Sequence, residues 1–162
     1  MNSEAEKIIA KLGLTPLPRE GGLYRLNWVS TERLTSGRAA GSAIYFLITP
    51  EEFSAFHRMA GEELWHFYAG DPVDHVQLEP RRGARRTTRL GSNILAGHVP
   101  QLAVPGGVWQ GAKLVPGGTR GWALLGCSLV PAWDEKEFEI GDTGALLNLF
   151  PNHATIVRDL TR

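Results

Sequence analysis

Over most of its length the chain alternates apolar and polar residues in short runs. Segments 23–29, 42–48, 63–68, 73–78, 86–90, 101–104, 108–114 and 122–129 show the two-residue period of strands that bury one face. Turn signals such as Gly70-Asp71-Pro72, Pro105-Gly106-Gly107 and Pro116-Gly117-Gly118 separate them, and no intervening stretch supplies the crossover helices of a parallel sheet. Eight such strands predict an all-β fold, a jelly roll or small barrel. The two ends differ. Ser3-x-x-Glu6 has the form of a capping box, Ile8, Ile9 and Leu12 share a helical face, and Gly13 stands where a left-handed cap belongs, which predicts a helix over 3–12. Pro151 followed by Ile156, Val157 and Leu160 predicts a closing helix over 151–160.

Composition narrows the picture. The 162 residues suit one domain over 1–162, with the barrel spanning about 18–140, and 43% hydrophobic against 21% charged residues is globular usage. Seventeen basic and seventeen acidic residues leave no net field to draw nucleic acid or an anionic membrane, so neither is an expected partner. A single cysteine, Cys127, allows no internal disulfide. The polar start Met1-Asn2-Ser3-Glu4 lacks the pattern of a secretory signal, and no apolar run is long enough for a membrane helix; a cytoplasmic protein is expected.

The segment His57-Arg58-Met59-Ala60-Gly61-Glu62-Glu63, followed by Gly70, has the spacing of the first cupin motif, with Met59 where that motif has its second His. Pro105-x-Gly107-x-x-Gln110 resembles the second motif, with Gln110 where the last metal-binding His would stand. Further stretches are Glu20-Gly21-Gly22, Ala43-Ile44-Tyr45-Phe46-Leu47, Glu63-Leu64-Trp65-His66-Phe67-Tyr68-Ala69-Gly70-Asp71-Pro72, Gly91-Ser92-Asn93, Val104-Pro105-Gly106-Gly107-Val108-Trp109-Gln110, Gly126-Cys127 and Phe138-Glu139. On these the chain resembles the cupin group called Cupin_5 from about residue 18 to 139. Phe150-Pro151-Asn152-His153 and Leu160-Thr161 are similar too, while Ala132-Trp133 departs from the group's usual Gly-Phe. The resemblance implies a double-stranded β-helix like that of sugar-nucleotide epimerases of the dTDP-4-dehydrorhamnose type, assembled as a homodimer. It implies no single chemistry.

Strand parity places His57 with Met59, and Glu63 with Trp65 and Phe67; Leu64, His66 and Tyr68 take the other face. In the cupin register His57, Met59, Glu63 and Gln110 converge inside the barrel, with Tyr45, Trp65, Phe67 and Trp109 as aromatic pocket walls. A divalent metal would draw on His57, Glu63 and Gln110, but a weak amide oxygen beside the Met59 thioether makes a poor ligand set, so the expectation is no cofactor or a weakly bound metal. Without metal, His57 as base and Glu63 as its orienting or acidic partner have the equipment for proton abstraction next to a carbonyl. The leading reading is a small-molecule-binding cupin acting as a metal-independent isomerase or epimerase on a carbohydrate-like or nucleotide-linked ligand. The alternatives are a metal-dependent enzyme using His57, Glu63 and Gln110, and a ligand-binding module without catalysis.

The remaining candidates read as structure. His66 and Tyr68 suit packing or a subunit contact, and His75, His98 and His153, beside turn or helix-end signals, receive no role. Arg81, Arg82, Arg85, Arg86 and Arg89 form a charged hairpin that Asp134, Glu135, Glu137, Glu139 and Asp142 could balance. The glycine pairs lack the Lys-Ser/Thr ending of phosphate loops, and Cys127 in an apolar strand reads as a small buried hydrophobe.

Overall fold

A computed structural model describes residues 3–162; Met1 and Asn2 lie outside the described residues. The first helix, α1 (Ser3–Leu12), carries Glu4 and Glu6 in its first turn and Lys11 in its last, the charge order its dipole favours. Gly13, at φ 64°, closes it, and the Leu14 N–H donates to Ile9 O at 3.0 Å. Strands β1 (Thr15–Pro16), β2 (Leu23–Val29), β3 (Ser42–Ile48), β4 (Ser54–Met59), β5 (Glu62–Gly70), β6 (Val73–Glu79), β7 (Ala84–Leu90), β8 (Gln101–Val104), β9 (Trp109–Leu114), β10 (Ala123–Val130) and β11 (Phe138–Ile140) follow. Helices α2 (Thr143–Leu149) and α3 (Ala154–Asp159) complete the chain, with a 3-10 turn over Pro151–His153 between them.

All strand pairs in the two sheets are antiparallel. One sheet runs β1-β2-β3-β10-β5-β8 and the other β11-β4-β9-β6-β7. Their facing sides bury Phe46, Ile48, Trp65, Leu90, Leu125 and neighbours. Helix α1 covers part of the first sheet's outer face over Leu23, Leu47 and Trp122, while α2 and α3 cover the second sheet's outer face over Phe56, Val76, Leu78 and Trp109. The second sheet thus has apolar cover on both sides, and the first on its outer side only where α1 lies.

Three strands escape the alternation. Ser54, Ala55, Phe56 and His57 of β4 are all buried, because one face lies under α2 and α3 and the other inside the barrel, so no polar beat marks the strand. Strands β1 and β11, of two and three residues, are too short to show a period. Helix α2 is also unannounced by periodicity; its N-cap is Asp142, which accepts from Ala145 N–H at 2.8 Å. The closing helix predicted over 151–160 is divided, a 3-10 turn passing into α3.

Among the described residues of one chain, the hairpin arginines and the acidic stretch do not pair with each other. Arg89 makes a two-pronged pair with Asp74 across β6–β7, and Arg82 approaches Glu79. The acidic stretch binds other cations: Glu135 faces Arg19, Glu137 faces Arg38 and Glu139 faces Arg58. Tight hairpins pair neighbours within themselves first, which leaves Asp134 to Glu139 to whatever lies across their own sheet edge.

Candidate functional site

A cavity of about 400 Å³ opens between the sheets at the end where the loop before β2 meets the segment before β11. Its walls are mostly apolar: Leu17, Tyr24, Leu26, Ile44, Leu129 and Phe138 face it. Its polar content is concentrated in His57, Glu63 and Glu20, with Arg19 and Glu135 also lining it. Few polar groups converging in an apolar hollow is the usual construction of a small-molecule site.

His57 projects inward from β4 and is almost fully buried. Its Nδ1 lies 2.9 Å from the Ala55 carbonyl oxygen, which only accepts, so Nδ1 carries a proton. Glu20 Oε1 is 3.7 Å from Nδ1, and Glu63 Oε2 is 3.8 Å from Nε2 on the other side of the ring. Phe138 stacks against the ring at 5.6 Å between centroids. Burial works against a charged imidazole, but the two carboxyl groups outweigh it and hold the His57 pKa up at about 9. His57 therefore rests as an imidazolium at neutral pH. In that state the ring is placed to donate a proton rather than to accept one.

Burial pushes Glu63 up, but hydrogen bonding and charge from His57, with a further hydrogen bond from Gln110, bring its pKa below the ordinary value. Burial dominates at Glu20 and raises it despite His57. Cys127, beside Glu63 on β10, is driven well above an ordinary thiol by burial and by the neighbouring carboxylates, so it stays protonated.

Alternation along the chain does not reveal Glu20, which sits in the loop between β1 and β2. The available signal is the triplet Glu20-Gly21-Gly22. Gly21 and Gly22 have φ of 92° and 74°; a Cβ on the first would lie 2.6 Å from Phe53 O, and on the second 2.5 Å from the Phe46 ring. Only glycine permits the backbone to pass there and turn Glu20 inward. Ser54 Oγ donates to Glu20 Oε1 at 2.7 Å, and the Glu20 carbonyl accepts from Ala55 N–H at 2.9 Å.

Below Glu63 lies Gln110, buried and fully engaged. Trp65 Nε1–H, which can only donate, is 2.9 Å from Gln110 Oε1 and fixes the amide: its oxygen faces inward and its NH2 donates to Glu63 Oε2 at 2.5 Å. The same oxygen is 3.0 Å from His75 Nε2, so His75 carries its proton there. Burial lowers the His75 pKa to about 4, only partly opposed by Gln110 and Glu63, and its Nδ1 finds no partner among the described residues. His75, which the sequence leaves without a role, is thus a neutral strut in the barrel interior on β6.

This geometry tests the metal that a cupin barrel implies. Gln110 turns a donor rather than a lone pair toward Glu63, because its oxygen serves Trp65 and His75. Glu20 and Glu63 flank opposite nitrogens of one ring instead of converging, and Met59 adds only a soft thioether. Among the described residues no group of three or more His, Cys, Asp or Glu is disposed to hold a metal ion. The ligand set His57, Glu63 and Gln110 does not fit a divalent cation.

Of the predicted pocket residues, His57, Met59 and Glu63 line the cavity. Gln110 lies behind Glu63, and Trp65 and Phe67 belong to the packed interior beyond it. Tyr45 points to the outer face of its sheet, among the residues under α1, and Trp109 points out under α2 and α3 with the Arg58 guanidinium 4.7 Å from its ring centre. Pleat parity puts Tyr45 opposite to Ile44, and Trp109 opposite to Gln110. The aromatic walls are instead Tyr24, Trp133 and Phe138. His66 and Tyr68 lie on the outer face, His66 Nε2 being 3.1 Å from Ser128 Oγ.

The family model described as "Cupin superfamily (DUF985)", Cupin_5, matches residues 6–141. A solved protein from Shewanella oneidensis is 34% identical and superposes with a TM-score of 0.90, covering 98% of this chain and 97% of its own. A hypothetical protein from Leishmania major is 31% identical, with a TM-score of 0.89 and coverage of 97% and 98%. Oxalate decarboxylase from Bacillus subtilis shares the fold alone, at 12% identity and a TM-score of 0.56, with 91% of this chain matching 37% of that one. No curated protein matches the sequence. With two antiparallel sheets facing across a buried cavity and a family match over most of its length, the chain belongs to the Cupin_5 family of the cupin superfamily.

Proposed function

We propose that the cavity binds a small, largely apolar molecule bearing a carbonyl group and moves a proton on it without a metal, as an isomerase or epimerase does. The observation that carries this reading is the His57 ring 3.8 Å from the Glu63 carboxyl group on the floor of an apolar cavity. Glu63 takes a proton from the carbon next to the carbonyl. His57 Nε2–H donates to the carbonyl oxygen as charge gathers there, giving the enol, and reversal returns the proton to carbon. Low dielectric around both groups strengthens the interaction with the developing oxyanion.

Lining chemistry narrows the ligand. A nucleotide diphosphate would meet Glu20, Glu63 and Glu135 with Arg19 and His57 as the cations, which favours an uncharged hydroxy-carbonyl compound over a nucleotide-linked one. Exposed Trp28, Tyr68 and Val130 on the uncovered outer face of the first sheet support a homodimer through that face. Sedimentation giving only a monomer at micromolar concentration removes the dimer.

To test the chemistry, the protein is incubated in deuterium oxide with 2-hydroxyacetophenone, and loss of the carbon-bound proton is followed by NMR. Exchange faster than with free imidazole, and reduced at least about 100-fold in His57→Gln and in Glu63→Gln, is expected. No acceleration by the wild type, or undiminished exchange in both variants, overturns the reading.

A further inference from the structure

We infer that Glu20 is a positioning residue of this site: from the Nδ1 side it holds His57 as a fixed Nε2–H donor directed at the bound ligand. The inference rests on the proton-transfer reading for its catalytic meaning, but the coupling itself stands on geometry. Glu20 Oε1 lies 3.7 Å from His57 Nδ1, and the Ala55 carbonyl takes the proton of that nitrogen at 2.9 Å, so both acceptors act on one side of the ring. That leaves Nε2–H as the donor on the side where Glu63 stands.

The placement of Glu20 is built by several independent elements. Gly21 and Gly22 leave no room for a side chain, Ser54 Oγ holds the carboxyl group at 2.7 Å, and Leu17 N–H donates to Gly22 O at 2.9 Å to close the loop. From the far side, Arg162 reaches Phe53 O at 3.1 Å and Glu20 O at 3.4 Å, with its guanidinium 4.4 Å from the Phe53 ring centre. A buried carboxyl group costs free energy, and this one is set beside a second buried carboxyl group and an imidazole in the wall of the cavity. The arrangement parallels the logic of a carboxylate that orients a catalytic imidazole through its rear nitrogen while the front nitrogen meets the reactant.

Groups that act on His57 come from three places: Glu20 from the loop before β2, Glu63 from β5, and the Ala55 carbonyl from its own strand. The test is therefore made by substitution rather than by pH alone. His57 is titrated by imidazole nitrogen NMR in the wild type, Glu20→Gln and Glu20→Asp. Removing a charge within about 4 Å is expected to lower the His57 midpoint by about one pH unit or more, with Glu20→Asp between Glu20→Gln and wild type. The alkaline limb of the deuterium-exchange profile moves down by the same amount.

A His57 midpoint that stays put in Glu20→Gln overturns the inference. If Glu20→Gln does not fold, Ser54→Ala, which loosens Glu20 without removing it, serves in its place and is expected to move the midpoint in the same direction by less; an unmoved midpoint overturns the inference there too. Failure of the function is separately visible. A midpoint that shifts in a protein whose wild type shows no exchange overturns the proton-transfer reading and leaves the coupling of Glu20 to His57 intact.

Discussion

His75→Leu changes how stability depends on pH, and its size follows from the burial of one ring. In the folded protein His75 is wholly buried, donates from Nε2 to Gln110, and has an Nδ1 with no partner among the described residues, so a second proton would add an uncompensated charge beside Trp65. Its pKa falls from the ordinary 6.5 to about 4. The unfolded chain binds that proton readily, so His75 leaves stability intact above pH 6.5 and erodes it as pH falls toward 4. A depression of this size corresponds to about 3 kcal/mol at the acid end. Glu20, whose pKa is raised, works in the opposite direction within this window, and Glu63, whose pKa is lowered, loses its contribution below 4.5. The informative quantity is therefore the difference between variant and wild type. Urea denaturation followed by tryptophan fluorescence at a series of pH values measures it. The variant loses a constant amount from altered packing, and the gap closes by about 3 kcal/mol between pH 6.5 and 4. A gap that stays constant across that range refutes the assignment of His75 as a neutral buried strut.

His57 gives the opposite limb: raised from 6.5 to about 9, it contributes fully below pH 6.5 and its contribution is lost as pH rises through 9, so wild-type stability falls over that range and His57→Gln flattens the curve. Trp65→Phe leaves Gln110 Oε1 with His75 as its one donor and costs about 1–2 kcal/mol by chemical denaturation. Gly22→Ala forces a Cβ to within 2.5 Å of the Phe46 ring at a φ of 74° and destabilises by on the order of 2 kcal/mol, a loss visible in the thermal midpoint. Asp71→Ala strips the carboxylate that accepts from the backbone N–H groups of Thr119, Arg120 and Gly121 and costs about 3 kcal/mol, with faster amide exchange in the β9–β10 turn as its local signature.

Part of the site is legible in the chain. The spacing from His57 to Glu63 and the parity of Glu63 with Trp65 place an imidazole and a carboxylate inside the barrel, because a strand's period of two fixes which residues share a face. Parity relates residues along one strand only. It does not say that Tyr45 faces α1, or that Trp109 faces α2 and α3, since the helices bury apolar residues on the outer faces as well as the inner ones. Strand β4 hides for the same reason.

The class of fold, the two terminal helical regions and most of the strands follow from local periods in the chain, and the resemblance to the first cupin motif adds the pair His57 and Glu63. Tertiary structure decided the protonation and partners of that pair. Glu20 comes from a loop 37 residues before His57 in the chain, and its approach to the ring at 3.7 Å helps hold the His57 pKa up. Gln110 spends its oxygen on Trp65 and His75, which takes it out of reach as a metal ligand. Charge and hydrogen-bond direction depend on distances between residues far apart in the chain, and only the folded barrel sets those distances.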